Sequence, residues 1–328
     1  MLNRRPRTAG RAYHTTSKYR GYFVATVHSN GITIAYETSG EPQGIPVLLI
    51  MGLGMQLTSW PDEFVDGLVE QGCHVIRFDN RDSGLSSKFN QFKRPNLPLA
   101  YLKSLFGWPL SSPYRLGDMA DDARGLVDAL GLPKVHVVGV SMGGMIGQIF
   151  AARHAERTLS LTSIMSSSGR RGLPGPTRAA RNALMSRPAD PSDHEQVVAH
   201  MTSVLRLIGS PAYPTPERQL RAHIERAMAR NVNPAGVARQ MVAIAASGDR
   251  TALLKKIRCP TLVIHGAADP LVPLACGEDT AQSIPGAELH VIEGMGHDLP
   301  QQLNERLLAL IDGHLRGKMA THGRSQIA

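Results

Sequence analysis

Short apolar runs alternate with amphipathic segments along the first half of the chain. The runs PVLLI (46–50), HVIRF (74–78) and VHVVGV (135–140) are largely apolar, as expected of strands that are covered on both faces. The segments between them, WPDEFVDGLVEQG and DMADDARGLVDALG, have the periodicity of helices. Strands that alternate with helices in this way predict a mainly parallel sheet with helices on both sides.

The segment before the first apolar run has a different pattern. Tyr22–Thr38 contains two β-type runs on either side of Asn30-Gly31. An Asn-Gly pair between two such runs is a strong signal for a tight turn, so we predict a β-hairpin here.

The strand–helix alternation stops between Ser168 and Asp249, where the chain has helical, proline-interrupted segments and no convincing strand. It resumes with PTLVIHG and ELHVIEG, and a final helical segment, LPQQLNERLLALIDGHL, follows. We therefore predict an α/β core formed by residues 21–167 and 250–316, with a helical cap inserted at residues 168–249.

Size and composition fit a globular protein with a large core. The chain has 328 residues, of which 42% are hydrophobic and 19% are charged. No apolar run approaches the roughly 18 residues of a membrane-spanning helix, so no membrane span is predicted. Cys73, Cys259 and Cys276 are scattered, without the spacing of metal ligands or the density of a disulfide scaffold. We expect a cytoplasmic protein without a bound metal.

The net charge of +9 is concentrated at the ends of the chain. Residues 1–20 contain several arginines and no acid, and we predict that they form a disordered basic arm. Polyanion binding and a transit-like segment are the alternatives for this arm. The predicted tail, residues 317–328, is also basic. No basic stripe with interleaved aromatics lies between them, so a nucleic-acid partner is not expected. The pattern does not specify an oligomeric state.

The segment GVSMGG (139–144) places a serine between two glycines, directly after a predicted strand and before a predicted helix. This context predicts a sharp turn that exposes the hydroxyl of Ser141 above the sheet. Gly139 and Gly143 are expected where strand and helix approach too closely for a Cβ atom. Ser141 is therefore the candidate nucleophile.

A serine nucleophile needs a base and a carboxylate that orients the base. Asp269 follows the strand TLVIHG, and His297 lies in a glycine-rich loop after the last predicted strand. The order serine, acid, histidine is the one expected in this type of sheet. Asp298 adjoins His297 and is poorly placed to orient it, and His265 is expected to be a packed or hydrogen-bonded residue.

An oxyanion hole needs two backbone N–H groups that point at the developing negative charge. We assign one to Met142, directly after the nucleophile, and one to Leu53 in the loop after PVLLI. Gly54 is the alternative donor if this loop is shifted by one residue.

Four segments together carry a resemblance to a known family: LLIMGLGMQLTSWPDEF, HVIRFDNRDSGLSS, VHVVGVSMGGMIGQ and IEGMGHDLP. They resemble the α/β-hydrolase-fold serine hydrolases, in particular the aclacinomycin methylesterase-like esterases. The resemblance extends from about residue 31 to 315 and is weakest in the insertion. Many relatives have His-Gly where this chain has Met51-Gly52, which leaves the backbone role intact.

The resemblance implies an α/β-hydrolase fold: a mostly parallel central sheet flanked by helices, with a helical cap insertion. It implies the roles already assigned to Ser141, Asp269, His297, Leu53 and Met142. It also implies that Asp79 and Arg81 in DNRDSG fix a turn and take no part in the reaction.

The substrate pocket is predicted from apolar residues near the cap. The segment 88–117 is rich in aromatics, including Phe106, Trp108 and Tyr114, and we hypothesise that Trp108 lines the pocket. The alternative is that these aromatics pack onto the sheet edge. Met241 and Ile244 lie on an apolar helical face and are further candidates, although such a face fits a helix core better.

The sequence thus predicts an esterase that acts on small-molecule carboxylic esters through an acyl-enzyme, with no cofactor. The same three residues also serve hydrolysis of C–C bonds, lactones, amides or iminopeptides, and cofactor-free perhydrolysis, since a fold does not determine a reaction. From another class, a non-catalytic ligand receptor with a hydrolase-like fold has the same sequence pattern.

Overall fold

The computed structural model describes residues 24–106 and 108–317. The basic arm predicted at residues 1–20 lies outside the described residues, and so does the predicted tail apart from its first residue.

The predicted hairpin is confirmed. Strand β1 (Ala25–Ser29) pairs antiparallel with β2 (Ile32–Ser39), with Ser29 opposite Ile32. Asn30 and Gly31 both have positive φ, 49° and 76°, which is the backbone of the tight turn that an Asn-Gly pair favours.

The hairpin forms one edge of an eight-stranded sheet with the order β1-β2-β4-β3-β5-β6-β7-β8. The first two pairings are antiparallel and the other five are parallel. This mostly parallel sheet confirms the predicted fold class. The remaining strands are β3 (Ile45–Ile50), β4 (Cys73–Phe78), β5 (Val135–Val140), β6 (Thr158–Ile164), β7 (Thr261–Gly266) and β8 (Glu288–Ile292).

Helices follow most strands and cover both faces of the sheet. In chain order they are α1 (Asp62–Glu70), α2 (Leu97–Leu105), α3 (Leu116–Ala129), α4 (Met142–Arg153), α5 (Arg178–Met185), α6 (His194–Ile208), α7 (Glu217–Arg230), α8 (Pro234–Ser247), α9 (Thr251–Leu254), α10 (Leu274–Ser283) and α11 (Asn304–Leu315).

The apolar strands are explained by two cores, one on each face of the sheet. Successive side chains of a strand point to opposite faces. In β3, Leu48 and Ile50 therefore join the core beneath α3 and α4, whereas Val47 and Leu49 join the core beneath α1 and α11.

Helices α5 to α8 are inserted between β6 and β7. Side-chain caps begin three of them. In α6 the side chain of Asp193 accepts the Gln196 N–H, in α8 that of Asn233 accepts the Gly236 N–H, and Thr177 caps α5 in the same way. None of the helices in residues 24–106 and 108–317 is long and apolar enough to cross a membrane.

Candidate active site

Ser141 lies in the turn between β5 and α4, in a backbone conformation that side chains rarely adopt. Its φ is 54° and its ψ is −120°. The turn is held by the Ser141 N–H, which donates to Ile164 O at 2.9 Å. A Cβ atom at Gly139 would overlap the Gly143 carbonyl, and one at Gly143 would overlap the Ile50 carbonyl. Both glycines are thus required by close backbone approach, as the sequence predicts.

The structure brings His297 and Asp269 to Ser141 in one hydrogen-bonded chain. His297 Nε2 lies 3.0 Å from Ser141 Oγ, and His297 Nδ1 lies 2.7 Å from Asp269 Oδ2. Ser141 follows β5, Asp269 follows β7 and His297 follows β8, so parallel strands of the same sheet present the three groups at their carboxyl ends. A carboxylate on one ring nitrogen leaves the other free to take a proton from the serine.

The Asp269 carboxylate is fully buried and held in place from its other oxygen. Oδ1 accepts the N–H groups of Leu271 and Val272 at 2.9 and 2.8 Å. These bonds fix the face that Oδ2 presents to His297.

His265, the alternative histidine, is buried beside the same carboxylate but does not contact Ser141. Its Nε2 lies 2.7 Å from Val272 O and 3.8 Å from Asp269 Oδ2. Burial lowers the pKa of His265, which favours its neutral form. It packs and hydrogen-bonds, in agreement with the sequence prediction.

Asp298, the alternative acid, has a different contact. Its Oδ1 accepts a hydrogen bond from Ser210 Oγ, just beyond the end of α6, and burial raises the pKa of the carboxyl. Ser210 Oγ also accepts the Gly296 N–H at 2.9 Å, while the His297 N–H donates to Ile208 O at 2.8 Å. The loop that carries His297 is therefore attached to the end of α6. Sequence reasoning missed this attachment.

The predicted oxyanion donors lie on either side of the serine. A Cβ atom at Gly52 would lie 3.3 Å from Ser141 Cβ, so this loop passes directly beside the serine. The Gly54 N–H is already bound to Gln240 Oε1 at 2.8 Å, whereas the Leu53 N–H donates to no group in the described part of the chain. Met142 is the first residue of α4, where N–H groups lack helical partners. This geometry favours Leu53 over Gly54.

Asp79 and Arg81 hold the turn after β4. The Asp79 carboxylate accepts the N–H groups of Leu57 and Leu85, both at 2.8 Å. Arg81 forms two hydrogen bonds of 2.7 Å with Asp122. Neither residue is hydrogen-bonded to Ser141 or His297, which agrees with the structural role implied by the resemblance.

The sequence prediction also missed a polar connection between α8 and the core. The Arg239 guanidinium forms a buried pair with Asp82, with hydrogen bonds of 2.7 and 2.8 Å, and Tyr114 Oη donates to the same carboxylate. The amide of the next residue, Gln240, donates to Arg81 O at 2.7 Å. The available signal was an Arg-Gln pair in the middle of an otherwise apolar helix.

The predicted pocket residues occupy different environments. Trp108 is 57% exposed, stacks on Phe106 at 5.4 Å between ring centroids, and lines a cavity of about 430 Å³ together with Ile244. Met241 is half-buried and is not among the residues that line this cavity. Tyr114 is buried and packs against Phe89. The aromatic segment is thus divided between core packing and the cavity.

Within residues 24–106 and 108–317, no group of three or more His, Cys, Asp or Glu side chains is placed to hold a metal ion.

Comparison with known proteins identifies relatives with an α/β-hydrolase fold. The sequence model of the family described as "alpha/beta hydrolase fold" matches residues 45–300. Rhodomycin D methylesterase DauP from Streptomyces sp. (strain C5) is 30% identical over 318 residues, which covers 87% of this chain and 95% of DauP. Rhodomycin D methylesterase DnrP from Streptomyces peucetius is 30% identical over 314 residues, covering 88% and 97%.

Solved structures share the fold. The meta-cleavage product hydrolase CumD from Pseudomonas fluorescens IP01 superposes with a TM-score of 0.69 at 22% identity, covering 90% of this chain and 98% of CumD. At this level of identity, the likeness concerns the fold alone.

Proposed function

The chain belongs to the α/β-hydrolase-fold family, and on this premise we propose that it is a serine hydrolase that cleaves carboxylic esters of small molecules through an acyl-enzyme intermediate. The observation that carries the proposal is the hydrogen-bonded chain from Ser141 Oγ through His297 to the buried Asp269 carboxylate. This arrangement supplies a nucleophile, a base and an orienting acid in contact with one another.

In the proposed reaction, Ser141 Oγ attacks the ester carbonyl while His297 Nε2 takes its proton. Asp269 keeps the imidazole oriented and stabilises its cationic form. The N–H groups of Leu53 and Met142 bind the oxyanion of the tetrahedral intermediate, each contributing about 3–4 kcal/mol to the stabilisation of the transition state. His297 then donates its proton to the leaving alcohol, and the acyl group remains on Ser141.

In the second half of the reaction, water replaces Ser141 as the nucleophile and hydrolyses the acyl-enzyme. A water molecule gives a proton to His297 Nε2 and attacks the acyl carbonyl, and the carboxylic acid leaves as Ser141 recovers its proton. No step needs a metal or an organic cofactor.

The names of the relatives favour an ester over the other bonds that this group of residues can cleave. Both relatives at 30% identity are methylesterases, so we propose a small alkyl ester as the substrate class. We place its acyl or alcohol part against Trp108 and Ile244, which line the cavity, and Met241 stays a prediction.

We also propose a cytoplasmic location. It is supported by Cys73, Cys259 and Cys276, which are all free thiols.

The proposal is tested with 4-nitrophenyl butyrate and methyl butyrate as substrates for the wild type and Ser141→Ala. We expect the variant to lose at least about 10³-fold in kcat/KM, because the nucleophile is removed. Ser192→Ala, in an exposed loop, is the matched control and keeps full activity. Hydrolysis that persists in folded Ser141→Ala would rule out the proposed nucleophile.

A further inference from the structure

The cavity that contains Trp108 is bounded by four parts of the chain. They are residues 108–115, Met145 in α4, the residues after β6, and residues 244–250 at the end of α8 and beyond. Its volume of about 430 Å³ falls within the range of small-molecule sites, about 300–1,000 Å³. Below, we call it the arginine cavity, because Arg115, Arg171 and Arg250 all line it.

Arg250 is a buried cation that hydrogen-bonds to no carboxylate in the described part of the chain, and the charge of Asp249 acts on it only from a distance. Only 5% of the residue is exposed, and in the described part of the chain its guanidinium forms no ion pair. It donates to two backbone carbonyls, Ser167 O at 2.6 Å and Gly248 O at 2.9 Å, while its buried Nε–H has no acceptor among the described residues. Burial lowers the pKa of Arg250 to about 10. A buried charge is costly unless an opposite charge compensates it.

Arg171 and Arg115 add two further guanidinium groups to the wall. Neither forms an ion pair with any residue in the described ranges, in contrast to Arg170, which pairs with Asp279 at 2.5 Å. Asp249 is the one acidic residue among those that line the cavity, and its Oδ1 accepts the Thr251 N–H at 2.8 Å. Three arginines and one acidic residue therefore line the cavity, which gives its wall an excess of positive charge.

Most of the other side chains that line the cavity are apolar. Trp108, Ile244 and Met145 contribute an aromatic ring, a branched aliphatic chain and a thioether. Such a surface packs against a flat or aliphatic body, while guanidinium groups bind carboxylates through paired hydrogen bonds.

We propose that the arginine cavity binds a small organic acid, with its carboxylate held by Arg250, Arg171 and Arg115 and its apolar body packed on Trp108 and Ile244. The carboxylate comes from one of two sources. It belongs to an ester substrate that carries an acid group, or to a separate acid that binds beside the reaction centre. Met145 lies on the first turn after Ser141, and its N–H donates to Ser141 O at 3.2 Å, so the cavity borders the helix that begins at the candidate nucleophile.

Binding is tested directly with benzoate and with benzamide, its neutral analogue, by isothermal titration calorimetry of the full chain. We expect benzoate to bind more tightly than benzamide. The double variant Arg171→Gln/Arg115→Gln should weaken benzoate binding about tenfold or more, because it removes charge-assisted hydrogen bonds. Arg187→Gln removes an exposed arginine outside the cavity and should leave binding unchanged.

A third variant, Arg250→Lys, keeps the buried charge but loses the planar fork, and it should also weaken benzoate binding. If this variant does not fold, the Arg171/Arg115 pair, at the exposed side of the wall, carries the test. The proposal is overturned if benzoate and benzamide bind alike, or if the double variant binds benzoate as the wild type does.

A second arm identifies the source of the carboxylate, and it rests on the proposed esterase function. The substrates are the mono-4-nitrophenyl ester of glutaric acid and 4-nitrophenyl pentanoate, which differ in a terminal carboxylate. A kcat/KM preference for the glutarate ester that disappears in the double variant assigns the carboxylate to the substrate. Equal rates with intact benzoate binding assign it to a separate acid. The calorimetric experiment measures benzoate binding and requires no hydrolysis. Its result therefore remains valid even if the protein is not an esterase.

Discussion

Ser141 shows how single positions are forced by backbone geometry. Its positive φ carries a conformational strain of the order of 1–3 kcal/mol, which the surrounding turn must offset. The turn does so by packing backbone against backbone at Gly139 and Gly143, where any side chain would collide. The glycines around the serine are therefore a steric requirement of this turn. For this reason the turn could be predicted from the sequence.

A second residue, His136 in β5, contributes to the loss of folding stability at acidic pH. It is buried, lies 2.8 Å from Ser160 Oγ, and burial lowers its pKa from 6.5 to about 4. Between these values the unfolded chain binds the proton more readily, so stability falls as the pH drops from 6.5 towards 4.

We predict that this histidine costs the protein about 2 kcal/mol of unfolding free energy between pH 7 and pH 5. Urea denaturation at the two pH values measures the loss, which should be smaller in His136→Gln. His28→Gln, at an exposed position, should lose as much as the wild type. An identical loss in His136→Gln would show that this group does not titrate as inferred.

At the level of elements, two inserted helices hold two loops of the candidate site. The end of α6 binds the histidine loop through Ile208 O and Ser210 Oγ. In α8, Gln240 Oε1 accepts the Gly54 N–H beside the proposed oxyanion donor, and Arg239 pairs with Asp82. These helices therefore help to position the groups that we propose carry out the reaction.

Ser210→Ala tests this positioning. The substitution leaves the Gly296 N–H without its acceptor and removes the hydroxyl that donates to the Asp298 carboxyl, which should cost about 1–3 kcal/mol of stability. We also expect a lower kcat, because the loop that carries His297 is held less firmly.

Ser203→Ala, on the exposed face of α6, is the control, since the Ser203 hydroxyl donates only to Ala199 O. Thermal unfolding and ester hydrolysis measure both effects. If Ser210→Ala matches Ser203→Ala in melting temperature and in kcat, α6 does not position the histidine loop.

For the molecule as a whole, the sequence predicted the features that depend on local pattern. Continuous apolar runs identified β3, β4 and β5, and the Asn30-Gly31 pair identified the hairpin. Chain order was enough to predict which residues meet at Ser141, because parallel strands present their carboxyl ends at the same edge of the sheet.

The contacts made by the inserted helices could not be predicted in this way. Arg239 and Asp82 are 157 positions apart, and Ser210 and Asp298 are 88 apart. Their pairing depends on where α6 and α8 lie relative to the core, and helical periodicity within each helix contains no information on that placement. The sequence also could not predict which arginines form ion pairs. Arg170 pairs with Asp279, whereas its neighbour Arg171 lines the cavity.

We propose that Ser141 is an activated nucleophile, and labelling with a fluorophosphonate is the decisive test of this role. This reagent forms a covalent phosphonyl adduct only with a hydroxyl that a neighbouring base activates. Intact-mass and peptide-mass measurements should find one adduct per chain, on Ser141, and none in Ser141→Ala. A folded wild-type protein that stays unlabelled, or an adduct that persists in Ser141→Ala, would contradict the account.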